Sequence, residues 1–303
     1  FFLFFRRVTI VMNKLNKNKW CNVASSWWLL FGVTVIFGTA QGEVLSFGWD
    51  LPQTGHVRSK ISENGRHSVI LYKLTAKKLD GDRIEIIFSD ASFETEGGSR
   101  PIEVANDLPS LVIDRGGHYQ GLKDVGIANK KLLDKMPVEI EKKDRENWGR
   151  KLEDPKFLRS MNQRFEGIWN TWVGTWNGLS VDQGYGFEAG DKISLKPGGK
   201  VLDYEYLGLQ KNFCERCIKL RCESSLAREE ATATVQRSLG KIQGRDNIIL
   251  EDAGSSTITE VVTDADKLIP YYAKASTHVL LKVKDMDAIR REVTQEYWFD
   301  WIR

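Results

Sequence analysis

One segment of the chain predicts a helix more clearly than any other. Large apolar residues recur there at steps of three and four, which is the spacing of one face of an amphipathic helix. They are Phe157, Leu158, Met161, Phe165, Ile168, Trp169, Trp172 and Trp176. Asp154 and Pro155 come just before this stripe and suit a helix cap and a first helical position. Because so large an apolar face has to be buried, we expect the helix to pack on a sheet.

Strand-like segments lie on both sides of this helix. Residues 69–72 and 84–88 are rich in β-branched and aromatic residues, and an Asp-Gly turn signal separates them. Residues 185–224 and 246–302 return to strand-like composition. Shorter helices are predicted around Val125 to Met136, ended by Pro137, and over residues 225–240.

Strands joined by short turns around a helical centre predict an α+β fold. We expect mostly antiparallel, curved β-sheet in a half-barrel-like arrangement, with the central helical segment packed on it. The predicted organisation is an N-terminal β block at 41–123, a helical segment at 124–184 and a C-terminal β block at 185–303. The pattern leaves open whether the two blocks form one sheet or two.

Residues 1–40 have the layout of a stretch translated from upstream of the natural start codon, followed by a secretory signal peptide. Met12 is the natural start, Lys14, Lys17 and Lys19 form a basic flank, and residues 23–40 carry no charge. We expect cleavage near Ala40 and a periplasmic or secreted product. The alternative is an uncleaved anchor in the inner membrane, since the uncharged run is close to the minimum for spanning. No later segment has an uncharged run long enough to span a membrane. We therefore expect membrane contact only through this leader.

The charge balance argues against nucleic acid as a partner. The charged residues of 1–40 are all basic, so the remaining chain holds 39 of the 44 Lys and Arg against all 41 Asp and Glu. A nucleic-acid-binding surface needs a basic surplus that this nearly neutral body lacks.

Three cysteines follow the leader in a tight cluster: Cys214, Cys217 and Cys222. In an oxidising compartment, a disulfide is the leading interpretation, and one thiol is then left over. The spacing leaves the pairing open, with Cys214 joined either to Cys217 or to Cys222. A zinc site is disfavoured because no histidine lies nearby in sequence to complete four ligands.

No catalytic, cofactor-binding or metal-binding motif stands out. The residues His56, His67, His118 and His278 fall in separate segments without metal-ligand spacing, and nucleophile-elbow and phosphate-loop patterns are absent. We therefore assign no catalytic residue, no metal and no cofactor.

The aromatic helix supplies the candidate ligand-binding residues. Phe165, Ile168, Trp169, Trp172 and Trp176 are predicted to line an apolar cavity against the sheet. The competing interpretation is that the same residues simply seal the helix to the sheet as core.

Together, the leader, the strand blocks and the helical segment DPKFLRSMNQRFEGIWNTWVGTW resemble the periplasmic LolA, LolB and LppX-like half-barrel proteins. The segment TDADKLIPYYAKAS is also similar to exported proteins of this kind. The resemblance implies a curved sheet with helices on its concave side and an apolar cavity between them. The chain is longer than the small carriers, and the resemblance assigns no functional residue.

Three functions follow as hypotheses. The leading one is a non-enzymatic exported envelope protein that binds or carries an apolar ligand such as a lipid. The alternative is a structural or interaction protein of the cell envelope with other envelope proteins as partners. A hydrolase of envelope polymers is the least favoured, because no catalytic carboxylates can be identified.

Overall fold

The computed structural model describes residues 43–95, 98–102, 105–135, 142–181, 192–195, 200–226, 228–239, 250–284 and 287–302. The strands are β1 (Glu43–Val44), β2 (Gln53–Glu63), β3 (Arg66–Leu79), β4 (Arg83–Thr95), β5 (Gly98–Pro101), β6 (Ser110–Asp114), β7 (Tyr119–Lys123), β8 (Ser180–Val181), β9 (Lys192–Leu195), β10 (Lys200–Leu209), β11 (Cys217–Leu226), β12 (Leu250–Asp264), β13 (Pro270–Val283) and β14 (Ile289–Ile302). The helices are α1 (Val125–Asp134), α2 (Lys142–Glu153), α3 (Pro155–Trp169) and α4 (Arg228–Leu239), with a 3-10 turn at Ala105–Asp107 and a π turn at Asn170–Gly174. The predicted leader at 1–40 lies outside the described residues.

Both strand blocks belong to one antiparallel sheet of 12 strands. Its order is β7-β6-β4-β3-β2-β14-β13-β12-β11-β10-β9, with β5 paired to β4. The two blocks meet where β2 pairs with β14, for example Val57 opposite Phe299. The sheet is curved and does not close, which confirms the α+β half-barrel class. The block limits drawn from the sequence stay predictions.

Alternation along the strands gives the sheet two faces, which we call inner and outer. Val57, Ala273, Tyr297 and Phe299 point to the inner face and are buried. Their sequence neighbours, such as Arg58, point to the outer face. Because successive side chains of a strand point to opposite sides, this register decides which residues meet α3.

Helix α3 crosses the inner face and begins as predicted. The Asp154 side chain accepts a hydrogen bond of 2.8 Å from the Lys156 N–H, and Pro155 occupies the first turn. Along its length α3 and the π turn contact Phe88 on β4 and Tyr297 on β14, and Trp176 just after the π turn contacts Tyr204 on β10. A single helix reaches strands this far apart because the sheet curves around it.

Helix α4 covers a backbone edge rather than a face. The pairing of β11 with β12 ends at Ser225 opposite Ser256, and no other described strand pairs with the first residues of β12 on that side. Thr232 Oγ1 and Gln236 Oε1 accept hydrogen bonds of 3.0 and 2.9 Å from the N–H groups of Ala253 and Leu250. The helix predicted over 225–240 thus satisfies donors that would otherwise be unpaired.

The segment before β2 closes one side of α3. Leu45 exchanges backbone hydrogen bonds with the chain just after the π turn, at Gly178 and Leu179. Trp49 donates from Nε1 to Leu268 O at 3.1 Å and packs on the ring of Trp301 with the centroids 5.1 Å apart. Within the described ranges, no helix is both long and apolar enough to cross a membrane.

Glu85 is a buried carboxylate on the outer face, with 6% of its surface exposed. Burial alone would raise its pKa, but hydrogen bonds from Ser110 (2.7 Å) and Lys123 (3.2 Å) outweigh burial and lower the pKa. The ionised form therefore stabilises the fold above the unfolded-state pKa, and this contribution is lost as pH falls through the folded-state pKa.

We therefore expect Glu85→Gln to lower the free energy of unfolding at pH 7 by about 1–3 kcal/mol. We also expect this difference from wild type to shrink as the pH falls from about 6 to about 3. Urea unfolding at several pH values measures both effects. A difference that stays constant over this pH range would contradict the assignment.

Candidate apolar ligand site

Three tryptophans, one on α3, one in the π turn and one just after that turn, form the centre of an aromatic core. Trp169, Trp172 and Trp176 are all 0% exposed. The Trp172 ring lies edge-on to Tyr297 and Phe299, with centroids 5.3 and 5.2 Å away. Edge-to-face contacts of this kind add to the stabilisation that burial alone provides.

Two of the three indole N–H groups have backbone acceptors. Trp169 Nε1 donates to Gly117 O at 2.8 Å, and Trp176 Nε1 donates to Thr171 O at 3.2 Å. Among the described residues, none accepts a hydrogen bond from Trp172 Nε1. Trp172 is therefore held by ring contacts, whereas its two neighbours are also positioned by hydrogen bonds.

The predicted cavity residues lie together on α3, in the π turn and, for Trp176, just after that turn. Phe165, Trp169, Trp172 and Trp176 are in the core, and Ile168 is half-buried at its edge. Their burial fits the interpretation that they seal the helix to the sheet. Their role as the lining of a cavity stays a prediction.

The two flanks of α3 differ. On one flank, Asn162 accepts a hydrogen bond of 2.9 Å from the Tyr119 hydroxyl, so this side faces β7. The other flank carries Met161, Arg164 and Ile168, all half-buried, and we call it the open flank of α3. The helical rotation of 100° per residue places these two groups on opposite sides of the buried stripe.

The burial of the inner-face side chains also changes along the strands. On β14, Tyr297 and Phe299 are buried, Val293 and Gln295 are half-buried, and Ile289 is 44% exposed. The same change from buried to half-buried occurs on β2, β3 and β13. We call the half-buried part the open inner face; it comprises Ile61, Ile70, Phe93, Thr277, Val293 and Gln295.

Two polar side chains, Tyr297 and Gln295, lie where the buried part of the inner face gives way to the open inner face. The Tyr297 hydroxyl donates a hydrogen bond of 3.0 Å to Gln295 Oε1. Burial lowers the pKa of Arg164 and raises the pKa values of Tyr72 and Tyr297. Arg164 is thus surrounded by protein but still keeps accessible surface. We call the open flank of α3 and the open inner face together the recess.

Sequence reasoning missed Arg164 because it considered only the apolar residues of the helix. The available signal was a cation placed between Met161 and Ile168, on the edge of an otherwise apolar stripe. A charge at such a position has either to reach solvent or to lie in a partly enclosed polar site.

The cysteine cluster lies at the turn between β10 and β11. Cys214 and Cys217 form a disulfide, which was one of the two pairings left open by the spacing. Cys222 is a free, buried thiol on the inner face. Burial raises its pKa to about 12, so the thiol is protonated at neutral pH and is a poor nucleophile.

The histidines do not converge on a site. His118 is an exposed turn residue whose backbone N–H donates to Asp114 Oδ1 at 2.9 Å. Within the part of the chain that the structure describes, no group of three or more His, Cys, Asp or Glu residues is arranged to hold a metal ion.

Comparison with known proteins identifies no family. No family model matches the chain, and no curated protein matches it. A solved structure on lipid–protein interactions in lipovitellin is similar, with a TM-score of 0.40 and 9% identity. The match covers 82% of this chain but only 25% of the lipovitellin chain, so this chain spans about a quarter of that protein's length. The resemblance to the LolA, LolB and LppX-like proteins stays a prediction.

Replacing Trp172 with Ala tests whether the aromatic core holds the helix to the sheet. We expect the free energy of unfolding to fall by about 3–5 kcal/mol, because the change leaves a cavity between α3 and β14. The matched control is Trp148→Ala on α2, where the half-buried ring lies 4.9 Å from Lys151 Nζ. The control substitution should lower the free energy of unfolding by only about 1 kcal/mol. Urea unfolding measures both variants. Equal decreases in their free energies of unfolding would show that the Trp172 ring does not anchor α3.

Proposed function

We propose that this protein is exported and binds an apolar ligand, such as a lipid or acyl chain, in the recess, without catalysing a reaction on it. The observation that carries the proposal is the half-buried apolar surface of the open inner face, opposite the open flank of α3. Both surfaces belong to a helix and to strands that are already formed, so the proposed site needs no folding on binding.

The chemistry of the two surfaces suits such a ligand. Ile61, Ile70 and Phe93 form an apolar wall on neighbouring strands, and Met161 and Ile168 form the facing wall on α3. Polar groups are few and lie together around Tyr297. Ligand sites are typically concave and mostly apolar, with a small number of polar groups that orient the ligand. An acyl chain that covers this apolar surface removes it from water, which favours binding by about 25 cal/mol per Å² of buried apolar area.

The disulfide supports the exported location. Disulfides persist in oxidising compartments and are rare in the cytosol. The Cys214–Cys217 bond therefore agrees with the predicted leader and with a periplasmic or secreted site of action. Fractionation tests this part of the proposal: the processed chain should appear outside the cytoplasm, whereas an anchored chain would stay with the inner membrane.

One observation favours a second candidate function as an interaction protein. Leu209 is 54% exposed and Phe213 is 37% exposed, and both lie at the β10–β11 turn beside the disulfide. The centroids of the Phe213 and Tyr271 rings also lie 6.4 Å apart. Exposed apolar residues grouped in this way are typical of a protein contact site. Crosslinking at this turn would capture envelope partners if this function holds.

A matched pair of substitutions on β3 tests the ligand site. Ile70 points to the inner face and Leu71 to the outer face, and both are half-buried. We expect Ile70→Asn to weaken binding of the neutral probe N-phenyl-1-naphthylamine about tenfold, which corresponds to about 1.4 kcal/mol of lost apolar contact. Leu71→Asn should leave binding within about twofold of wild type.

Fluorescence titration of the delipidated protein measures both variants, and native mass spectrometry of the untreated protein looks for a co-purifying lipid. Failure of the wild-type protein to bind the probe, together with the absence of any co-purifying apolar molecule, would overturn the proposal. Equal weakening in both variants would place the site away from the inner face.

A further inference from the structure

We propose that the ligand is an amphiphile with an uncharged, hydroxyl-bearing head group, which binds a row of hydroxyl side chains on β11, β12 and β13 while its apolar tail lies on β2, β3 and β4. This inference rests on the proposed function and adds the chemical class of the ligand. Glycerol and a sugar are the two sources of such a head group, and both offer neutral O–H groups that donate and accept hydrogen bonds.

The open inner face continues from Thr277 onto β12 and β11 as a row of hydroxyls, which we call the hydroxyl row. Thr257 on β12 stands directly opposite Thr277 on β13, and Ser224 on β11 stands directly opposite Thr257. On its other side Thr277 stands opposite Val293 of the open inner face. Because directly opposite residues of paired strands point to the same side of a sheet, all three hydroxyls lie on the inner face.

The hydroxyls of this row lie close together and keep hydrogen-bonding capacity. Thr257 Oγ1 and Thr277 Oγ1 are 3.1 Å apart, and Ser224 Oγ donates to Thr257 O at 3.4 Å. A hydrogen bond between two hydroxyls uses only one of their two hydrogens, and each oxygen has two lone pairs. All three residues are half-buried, so part of their surface is accessible. The row can therefore bind a further hydroxyl group that both donates and accepts.

The same face becomes apolar on the strands beyond Val293. Ile61 lies on β2, and Ile70 on β3 stands directly opposite Phe93 on β4. Four strand spacings separate β13 from β4, which is about 19 Å along the sheet. The hydroxyl row and this apolar wall thus lie at the two ends of one surface long enough for an acyl chain. A ligand lying across the strands therefore meets hydroxyls at one end and hydrocarbon at the other.

The charges near the hydroxyl row favour an uncharged head group. The row itself contains no charged residue, and the nearby Glu63 and Arg291 form an ion pair of 2.8 Å and compensate each other. Arg66, opposite Glu63 on β3, is exposed. Arg164 on the open flank of α3 already has an interaction partner within the protein. An anionic head group at the row would lose hydration without an adjacent counter-charge, which costs free energy.

A wholly apolar ligand fits the hydroxyl row poorly as well. It would remove the hydroxyls of Thr257 and Thr277 from water without replacing their hydrogen bonds to water. A head group with hydroxyls of its own supplies those hydrogen bonds, directly or through a bridging water. We therefore expect the protein to discriminate between ligands by the hydroxyls of the head group.

The experiment compares two uncharged ligands that share a tail. 1-Oleoyl glycerol and methyl oleate both carry an oleoyl ester, but only the first has free hydroxyls. We expect the delipidated wild-type protein to bind 1-oleoyl glycerol at least about fivefold more tightly than methyl oleate. The double substitution Thr257→Val with Thr277→Val removes two hydroxyls of the row. It should weaken binding of 1-oleoyl glycerol about fivefold and change binding of methyl oleate by less than about twofold.

The outer face of the same hairpin supplies a matched control. Ser276 Oγ and Thr294 Oγ1 lie 3.1 Å apart on β13 and β14 and point to the side opposite Thr277. Ser276→Ala with Thr294→Val removes this hydroxyl pair and should leave the Kd values of both ligands within about twofold of wild type. Thermal unfolding checks that both double variants fold. If the inner variant does not fold, the single substitution Thr277→Val and the wild-type comparison of the two ligands serve as the test.

A third ligand, glucose 6-oleate, distinguishes the two sources of the head group. A larger effect of the inner double substitution on glucose 6-oleate than on 1-oleoyl glycerol supports a sugar. An equal or smaller effect supports glycerol. Oleate, the fourth ligand, has the same chain with a negative charge and should bind more weakly than 1-oleoyl glycerol.

Three results would overturn the inference, and they are distinguishable. If methyl oleate binds as tightly as the hydroxyl-bearing ligands and the inner double substitution changes no Kd, the head-group site is wrong but apolar binding stands. If oleate binds more tightly than 1-oleoyl glycerol, the ligand class is wrong, and apolar binding again stands. If the wild-type protein binds none of the four ligands, the proposed function fails as well.

Discussion

The pairing of β2 with β14 is the contact on which the remaining architecture depends. It runs from Thr54 opposite Ile302 to Glu63 opposite Val293 and joins the first strands of the described chain to the last. Every other neighbouring pair in the sheet closes within one of the two strand blocks. Without this pairing the blocks would be two smaller sheets, and the inner-face residues of β4 and β14 would not meet around one helix. Long-range pairing of this kind has a large loop-closure cost, which packing on α3 has to offset.

Helix α3 covers part of this sheet, and the division between covered and open surface defines the candidate site. Large aromatic rings fill the space beneath the helix, and the segment around Trp49 closes one flank. The other flank faces strands whose inward side chains are only half-buried. Arg164 lies at this boundary, where a charge can keep partial hydration and still face an apolar surface. The same helix therefore anchors the fold with its buried aromatic stripe and leaves its other flank half-buried.

The sequence predicted local structure well where one physical signal dominated. The cap at Asp154 and the periodic stripe placed α3, because capping and amphipathicity act within a few residues. The strand blocks and the α+β class followed from composition and turns. The π turn at Asn170–Gly174 and the role of α4 at the edge of β12 were not predicted, since both depend on packing partners distant in sequence. The candidate site was predicted only in part: the helix was identified, but its open flank was not.

The sequence by itself determined a helix with one aromatic face, strands on both sides of it and a close cluster of cysteines. These features come from spacing along the chain, and spacing is a local property. Only the tertiary structure decided that the strands form one curved sheet, that Cys214 pairs with Cys217, and that Arg164 is half-buried. The reason is strand register: a shift by one residue would turn every inner-face side chain outward. That register is selected by contacts between strands far apart in the chain, which no local pattern records.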